Sequence, residues 1–250
     1  IAGAEIINFF HWLGAVITNP QVNGNKWTPP RRVVERAASL VTVPRTLFAL
    51  VAIEEQLKGL YIGEVVPAWE KAADLSRQVH IVYKDSAFHT VLGIAPGLYD
   101  DLWTAGKVMY KLEPVVADGG TLIIYAPHIR EISYTHGAVL DRIGYHTRDY
   151  FLKQIDRFRD IPRGVMAHST HVKGIGSFTD GVEKPRINVV LATGISEQRC
   201  RQVNLGYMNP RRVDVAAYED REDQGVLAVH HAGELLYRLS DGTVPQVAEQ

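Results

Sequence analysis

The stretch Tyr99-Asp-Asp-Leu-Trp-Thr-Ala-Gly-Lys107, continuing through Leu112-Glu-Pro-Val-Val116 to Gly119-Gly120 and Leu122-Ile-Ile-Tyr-Ala126, decides how this chain is read. A polar, aromatic-rich loop leads into a short helix carrying Lys107. The helix ends before a double glycine, and a buried strand follows. An α/β fold builds a ligand site in this order, because the loop and helix start lie at the open end of a sheet. A lysine on the second turn of that helix can reach an anion bound at the loop.

Outward from this segment, strand and helix signals alternate. A strand is expected at Val79–Tyr83, then a loop, the Lys107 helix and a strand at Thr121–Ala126. Strand–helix–strand spacing needs a crossover, so a parallel pair follows. Later elements are a helix at Arg148–Phe158, strands at Gly164–Ala167 and Ile187–Ala192, and a helix at Ser196–Gln202. A helix at Val213–Tyr218 and a strand at Gly225–Val229 complete the alternation, and the tail Asp241–Gln250 reads as frayed. This predicts an α/β chain with a doubly wound, Rossmann-like C-terminal domain over 78–250.

Residues 1–77 read as the last part of an incomplete α/β N-terminal domain. The opening stretch 1–17 is apolar but interrupted by Glu5, Asn8 and His11, with no basic segment before it. It is neither a signal peptide nor a membrane span. The expectation is a chain that begins inside a domain, with an N-terminal segment of the same protein as its partner, in the cytoplasm. Thr18–Pro30 is dense in turn residues, Thr28 caps a helix at Arg31–Leu40, and Pro67–Arg77 is a helix with Ala72 and Leu75 inward. Buried strands are expected at Thr46–Ile53 and Gly59–Ile62.

A net charge of −1 excludes a nucleic-acid binder of the usual basic kind. A single cysteine, Cys200, excludes an internal disulfide, and a catalytic thiol there is the minor reading. No nucleophile elbow, phosphate-binding loop or zinc-protease helix occurs, which disfavours the familiar hydrolases and kinases.

The histidines carry the remaining chemistry. His11, in Phe9-Phe-His-Trp12, is either a core-edge residue satisfied by backbone or a general base kept neutral by an apolar pocket. His128 and His136 fall in the loop after a parallel strand, where such sheets bind ligands. His168 and His171 can meet on one helical turn and are reserve metal ligands, but further ligands at suitable spacing are missing. Lys173-Gly174-x-Gly176 is a weak anion-wrapping signal, and His230-His231 reads as a strand-end pair.

Two stretches resemble the nickel-pincer lactate racemases and their homologues, the LarA-like proteins. The Glu5-to-His11 spacing is similar to a family segment that ends in a catalytic histidine. Trp103-Thr-Ala-Gly-Lys107 is similar to the family's Tyr-Gln-x-x-Lys at the start of the C-terminal domain. The resemblance implies racemisation or epimerisation of a 2-hydroxy acid or sugar acid, by proton plus hydride transfer, in an interdomain cleft. It implies His11 as a proton-transfer base and Lys107 as the cation for the substrate carboxylate, with Trp103, Thr104, His128 and His136 around the substrate. It also implies a nickel-pincer nucleotide, yet Gln21 stands where the family tethers it through lysine. Lys26 would need a shifted loop. The region Trp27–Glu35 lacks the family's nickel-ligating histidine, and Thr104 replaces a glutamine. The alternatives are a non-catalytic binder of a small carboxylate or sugar acid, and a metal-dependent lyase.

Overall fold

The computed structural model describes residues 3–246. The chain runs α1 (Ala4–Ile17), α2 (Asn19–Val22), α3 (Pro29–Ala38), β1 (Leu47–Ile53), β2 (Gln56–Gly63), α4 (Val65–His80), β3 (Ile81–Lys84) and β4 (Phe88–Ile94). It continues through α5 (Leu102–Leu112), β5 (Val116–Ala126), α6 (Gly137–Ile143), α7 (Arg148–Leu152), α8 (Arg163–Lys173), β6 (Gly176–Thr179) and β7 (Val182–Pro185). The last elements are β8 (Asn188–Thr193), α9 (Glu197–Gln202), β9 (Gly206–Tyr207), β10 (Val226–Val229) and β11 (Leu236–Leu239).

The centre is a five-stranded sheet in the order β10-β4-β5-β8-β9, with every pair parallel. Successive side chains of a strand point to opposite faces, which sorts the core in two. Val91, Leu122, Ile124, Val189, Leu191 and Leu227 face the large core with α5 and α8. Leu92, Ile123 and Ala192 face the smaller one, covered by Met208, Val213, Val215 and Tyr218. The fold is α/β and Rossmann-like, as the sequence predicts.

The chain steps from β4 through β5 and β8 to β9, then returns to place β10 on the other side of β4. The order therefore reverses between β4 and β10, and open α/β sheets place their ligand crevice at such a switch point, at the carboxyl ends of the strands. α5, the first crossover helix, lies directly on β4. A Cβ at Gly93 would stand 2.3 Å from Val108 Cγ1 and 3.1 Å from Leu112 Cδ1, so the strand has no room for a side chain under this helix.

Around this core, α1 is pinned to α8. Asn8 Oδ1 accepts from the Gly164 amide at 2.8 Å, and Arg148 Nη1 donates to the Val16 carbonyl at 2.9 Å. Thr28 caps α3 by accepting from the Arg31 amide, as expected. The β1–β2 hairpin packs one face on α4, where Gly59 leaves room for Leu75. β3 pairs in parallel with β11 and forms a separate two-stranded sheet.

Several expectations need correction. The strand foreseen at Gly164–Ala167 is the first turns of α8; a four-residue apolar run does not distinguish strand from buried helix. The first strand of the main sheet is β4, in a segment read as loop, while β3, foreseen at Val79–Tyr83, starts later and lies outside that sheet. The helix at Arg148–Phe158 breaks into α7 and a 3₁₀ turn at Ile155–Phe158, and Val213–Tyr218 holds only a 3₁₀ turn at Val215–Tyr218. β1 and β2 are not buried strands, since Phe48, Leu50 and Ile62 are exposed and only Val51 is buried. Residues 1 and 2 of the opening helix and 247–250 of the tail lie outside the described residues. Among the described residues, no helix is long and apolar enough to cross a membrane.

The α5–β4 contact yields a stability test. Gly93→Ala overpacks it and is expected to cost roughly 1–3 kcal/mol, read as a lowered urea midpoint with unchanged slope. An unaltered midpoint would mean that α5 can ride away from the strand.

Candidate active site

α5 begins in a fully used network. Asp101 Oδ1 accepts from the Thr104 amide at 2.9 Å and Oδ2 from the Tyr134 amide at 3.2 Å. The Leu102 and Trp103 amides donate to the carbonyls of Glu131 and Ile132 at 3.0 and 2.9 Å. Amides of a first helical turn usually wait for a cap or an anion. Here they are spent on stitching α5 to the loop after β5, so an incoming anion has to be met by a side chain.

Lys107 supplies that side chain. Its ammonium lies over the Tyr99 ring, 5.2 Å from the centroid. Among the described residues it has no hydrogen bond or carboxylate partner. The loop after β10 closes beside it: the Ala232 amide donates to the Ile94 carbonyl at 2.9 Å, and Gly233 adopts φ +97°. A Cβ at Gly233 would stand 3.0 Å from both Lys107 Cβ and the Tyr99 hydroxyl. Lys107 thus stands at the β4/β10 crevice. His128 Nε2 donates to the Tyr99 carbonyl at 3.0 Å and fixes that loop from the β5 side. Burial, with help from the Glu234 charge, raises the Tyr99 hydroxyl.

Trp103, Gly106, Lys107 and Tyr110 share one face of α5, at the three- and four-residue spacing of a helix. Trp103 stacks on His168 with ring centroids 3.9 Å apart and planes 8° from parallel, and meets His136 at 4.5 Å. His168 Nε2 lies 3.0 Å from the Trp103 carbonyl. A carbonyl only accepts, so Nε2 carries the proton and Nδ1 keeps a lone pair, which is buried and without a partner. Burial pushes His168 down to about 4, so the ring is neutral near pH 7. Gly106 makes the approach possible, since a Cβ there would reach 3.1 Å from His168 Nε2.

One turn along α8, His171 sets its ring edge-on to Tyr110 at 5.9 Å. Burial lowers it to about 3, and the neighbouring His168 and His11 add to the shift. Burial raises Tyr110 to about 12, with Tyr99 adding. His11 projects from α1, its ring 4.5 Å from Phe10, and burial lowers its pKa too. Burial therefore biases all three imidazoles toward the neutral form.

The structure brings Trp103 and His136 together and sets Lys107 and His128 on opposite sides of Tyr99. His11 joins them only through His171 and Tyr110. Thr104 sits in the first turn of α5 with its amide committed to Asp101. Sequence reasoning passed over Tyr99, Tyr110, Gly233 and Glu234 as site residues. The helical spacing from Trp103 and Lys107 could have flagged Tyr110.

Other candidates fall away. Among the described residues, His168 and His171 included, no three His, Cys, Asp or Glu side chains group to hold a metal. Cys200 is fully buried and its thiol is raised to about 11, opposite to an activated nucleophile. Lys173 donates to the Asn204 carbonyl at 2.6 Å, and a Cβ at Gly174 would strike the Glu113 carboxylate at 2.6 Å, so no anion is wrapped there. His230 pairs with Glu219 at 2.8 Å on the surface.

The residues do not fit a covalently tethered nickel pincer. Gln21, at the tether position, is an exposed side chain on α2, and its amide cannot form the link. Lys26 is engaged with Asp74 at 2.8 Å. Within Trp27–Glu35, Thr28 caps a helix and Arg31 lies 3.8 Å over Trp69, with no histidine in the segment.

No known protein-family profile matches the sequence, and no curated protein matches it. A Thermotoga maritima protein of known crystal structure is 34% identical over 94% of this chain and 60% of its own, with a TM-score of 0.87. The lactate racemase apoprotein of Thermoanaerobacterium thermosaccharolyticum is 14% identical over 93% of this chain and 55% of its own, with a TM-score of 0.64. The chain therefore shares the fold of a lactate racemase and spans about three-fifths or less of each of these proteins.

The two buried histidines set a pH dependence. Both bind a proton more weakly folded than unfolded, so stability is full above about pH 6.5 and falls as pH drops toward 4. The expected slope approaches about 1.4 kcal/mol per pH unit for each histidine. Denaturant midpoints between pH 7 and 4.5 should drop accordingly, and His168→Gln should make the fall shallower. A flat wild-type profile would show that these rings are not held neutral.

Proposed function

We propose that the chain carries the substrate-anchoring and proton-moving part of a racemase- or epimerase-type site for small 2-hydroxy acids. One observation carries the reading: among the described residues the Lys107 ammonium, over the Tyr99 ring at the β4/β10 crevice, has no carboxylate partner. The fold shared with a lactate racemase supports it. A carboxylate paired with Lys107 gains a charge-assisted hydrogen bond in a partly dry setting. His11 accepts the proton of the α-hydroxyl, and the neutral His171 beside it keeps a repelling charge away while His11 becomes cationic. Trp103, held between His136 and His168, forms a rigid wall.

Inversion at the α-carbon also needs that carbon's hydrogen to leave and return as hydride. None of these side chains accepts hydride, so the chain's own contribution ends at anchoring and proton transfer. A second reading, a binding protein that holds a hydroxy acid without inverting it, is favoured by Gln21 and by the engagement of Lys26 with Asp74.

The test uses the full-length protein and single enantiomers of 2-hydroxy acids, followed by chiral chromatography and calorimetry. The proposal expects enantiomer interconversion. Lys107→Ala should weaken binding by about 1.5–3 kcal/mol, roughly 10- to 150-fold. His11→Ala should bind the acid but not interconvert it. Binding without interconversion in the wild type selects the second reading, and undiminished affinity in Lys107→Ala removes Lys107 from the site.

A further inference from the structure

A separate cavity lies at the carboxyl ends of β5 and β8, which are aligned by the pairing of Ala126 with Thr193. It measures about 510 Å³, within the ligand-sized range of roughly 300–1,000 Å³. Tyr125, Pro127, Arg130, Gly194, Pro210 and Arg211 line it. Tyr125 packs with the smaller core, whereas α5 and Lys107 belong to the side of the larger one. The cavity is therefore distinct from the Lys107 crevice, yet it opens at the same edge of a parallel sheet, where α/β folds bind ligands.

No acidic side chain lines this cavity, although the chain carries 28 acids against 27 Lys and Arg. Other exposed arginines find carboxylates: Arg142 pairs with Asp160, Arg159 with Asp156 and Arg201 with Glu197. Among the described residues, the side chains of Arg130 and Arg211 make no hydrogen bond or ion pair, and the Tyr125 hydroxyl makes no hydrogen bond.

Both arginines spring from fixed backbone. Beside Arg130, the buried Ile129 donates its amide to the Ala126 carbonyl at 3.0 Å and accepts from the Gly194 amide at 2.7 Å. A Cβ at Gly194 would stand 2.9 Å from both Arg130 Cγ and the Ile129 carbonyl oxygen, so glycine is what lets the arginine stem lie against the end of β8. On the facing turn, Asn209 Oδ1 accepts from the Arg211 amide at 3.0 Å, and the Asn209 carbonyl accepts from the Arg212 amide at 3.0 Å. Anchored stems lower the ordering cost of holding a ligand.

We propose that this cavity binds a small phosphate monoester, with Arg130 and Arg211 on the phosphate and the Tyr125 hydroxyl as a further donor. A phosphate monoester brings close to two negative charges and three terminal oxygens, which matches two guanidinium forks and a phenol. A carboxylate brings one charge and two oxygens, and leaves one arginine uncompensated. The remaining volume takes the organic part of the ligand. This site does not depend on the Lys107 reading.

Calorimetry on the full-length protein with glycerol 3-phosphate, inorganic phosphate and acetate tests the proposal. Both phosphates should bind, and acetate at least about tenfold more weakly. Arg130→Ala and Arg211→Ala should each weaken glycerol 3-phosphate about tenfold or more, the loss of one charge-assisted contact. Both residues are exposed, so their replacement leaves the fold in place. Arg36→Ala, an exposed arginine on α3, and Lys107→Ala should keep the wild-type affinity. Failure of both phosphates to bind, acetate binding as tight as phosphate, or undiminished affinity in both Arg130→Ala and Arg211→Ala overturns the proposal.

Discussion

How closely α5 lies on β4 governs everything at the candidate site. A helix usually keeps its distance from a sheet because both carry side chains. Here Gly93 removes one of those layers, and Val108 and Leu112 drop onto bare strand backbone. Gly106, on another face of the same helix, lets His168 and Val172 of α8 come as near. Two missing side chains thus fix α5 in depth against the sheet and against α8. Packed interiors deform little, so Trp103, Lys107 and Tyr110 are set by that seating rather than by loop geometry. Gly233 completes the constraint from the other side of the crevice, where its positive φ and the Tyr99 hydroxyl leave no space for a Cβ.

The electrostatics follow from the same packing. Histidines crowded between α1, α5 and α8 lose water, which favours their neutral form. Of the lysines of α5, Lys107 lies over the Tyr99 ring and Lys111 donates to the Glu234 carbonyl. Both sets of side chains gather along one face of α5, where Trp103 and Gly106 meet His168, Tyr110 meets His171, and Lys107 stands over Tyr99.

What the sequence made legible was local. The Lys107 helix and its loop, the Thr28 cap and the β10 strand rest on short-range signals and appear, whereas the strand that pairs with β5 is β4 and not the one foreseen at Val79–Tyr83. β4 escaped because Gly93 near its end breaks the strand pattern, and that same glycine is what seats α5. Gly164–Ala167 was misread because its burial comes from α1, which is remote in sequence. The site was half visible for the same reason. Lys107 and Trp103 stand in a pattern, whereas the stack of Trp103 on His168 and the closure by Gly233 are meetings of distant segments that spacing does not encode.

Gln21 and Lys26 sit apart from this packed assembly, unlike Thr104 in the first turn of α5. Gln21 is exposed on a four-residue helix, and Lys26 reaches only to Asp74 on the surface of α4. α1 is held by Asn8 and by Arg148 on its Val16 carbonyl, contacts that do not involve Gln21 at all. Thr18, buried with φ +98° and an unpartnered hydroxyl, turns the chain from α1 into α2 before Gln21 is reached. A threonine in that region is strained by about 1–3 kcal/mol, and it persists because α1 and α2 are each fixed on either side. The position that would tether a cofactor can therefore change without disturbing the helix that presents His11 or the one that presents Lys107. Pro20 carries the buried contact of α2, so the exposed Gln21 beside it can differ without loosening that contact.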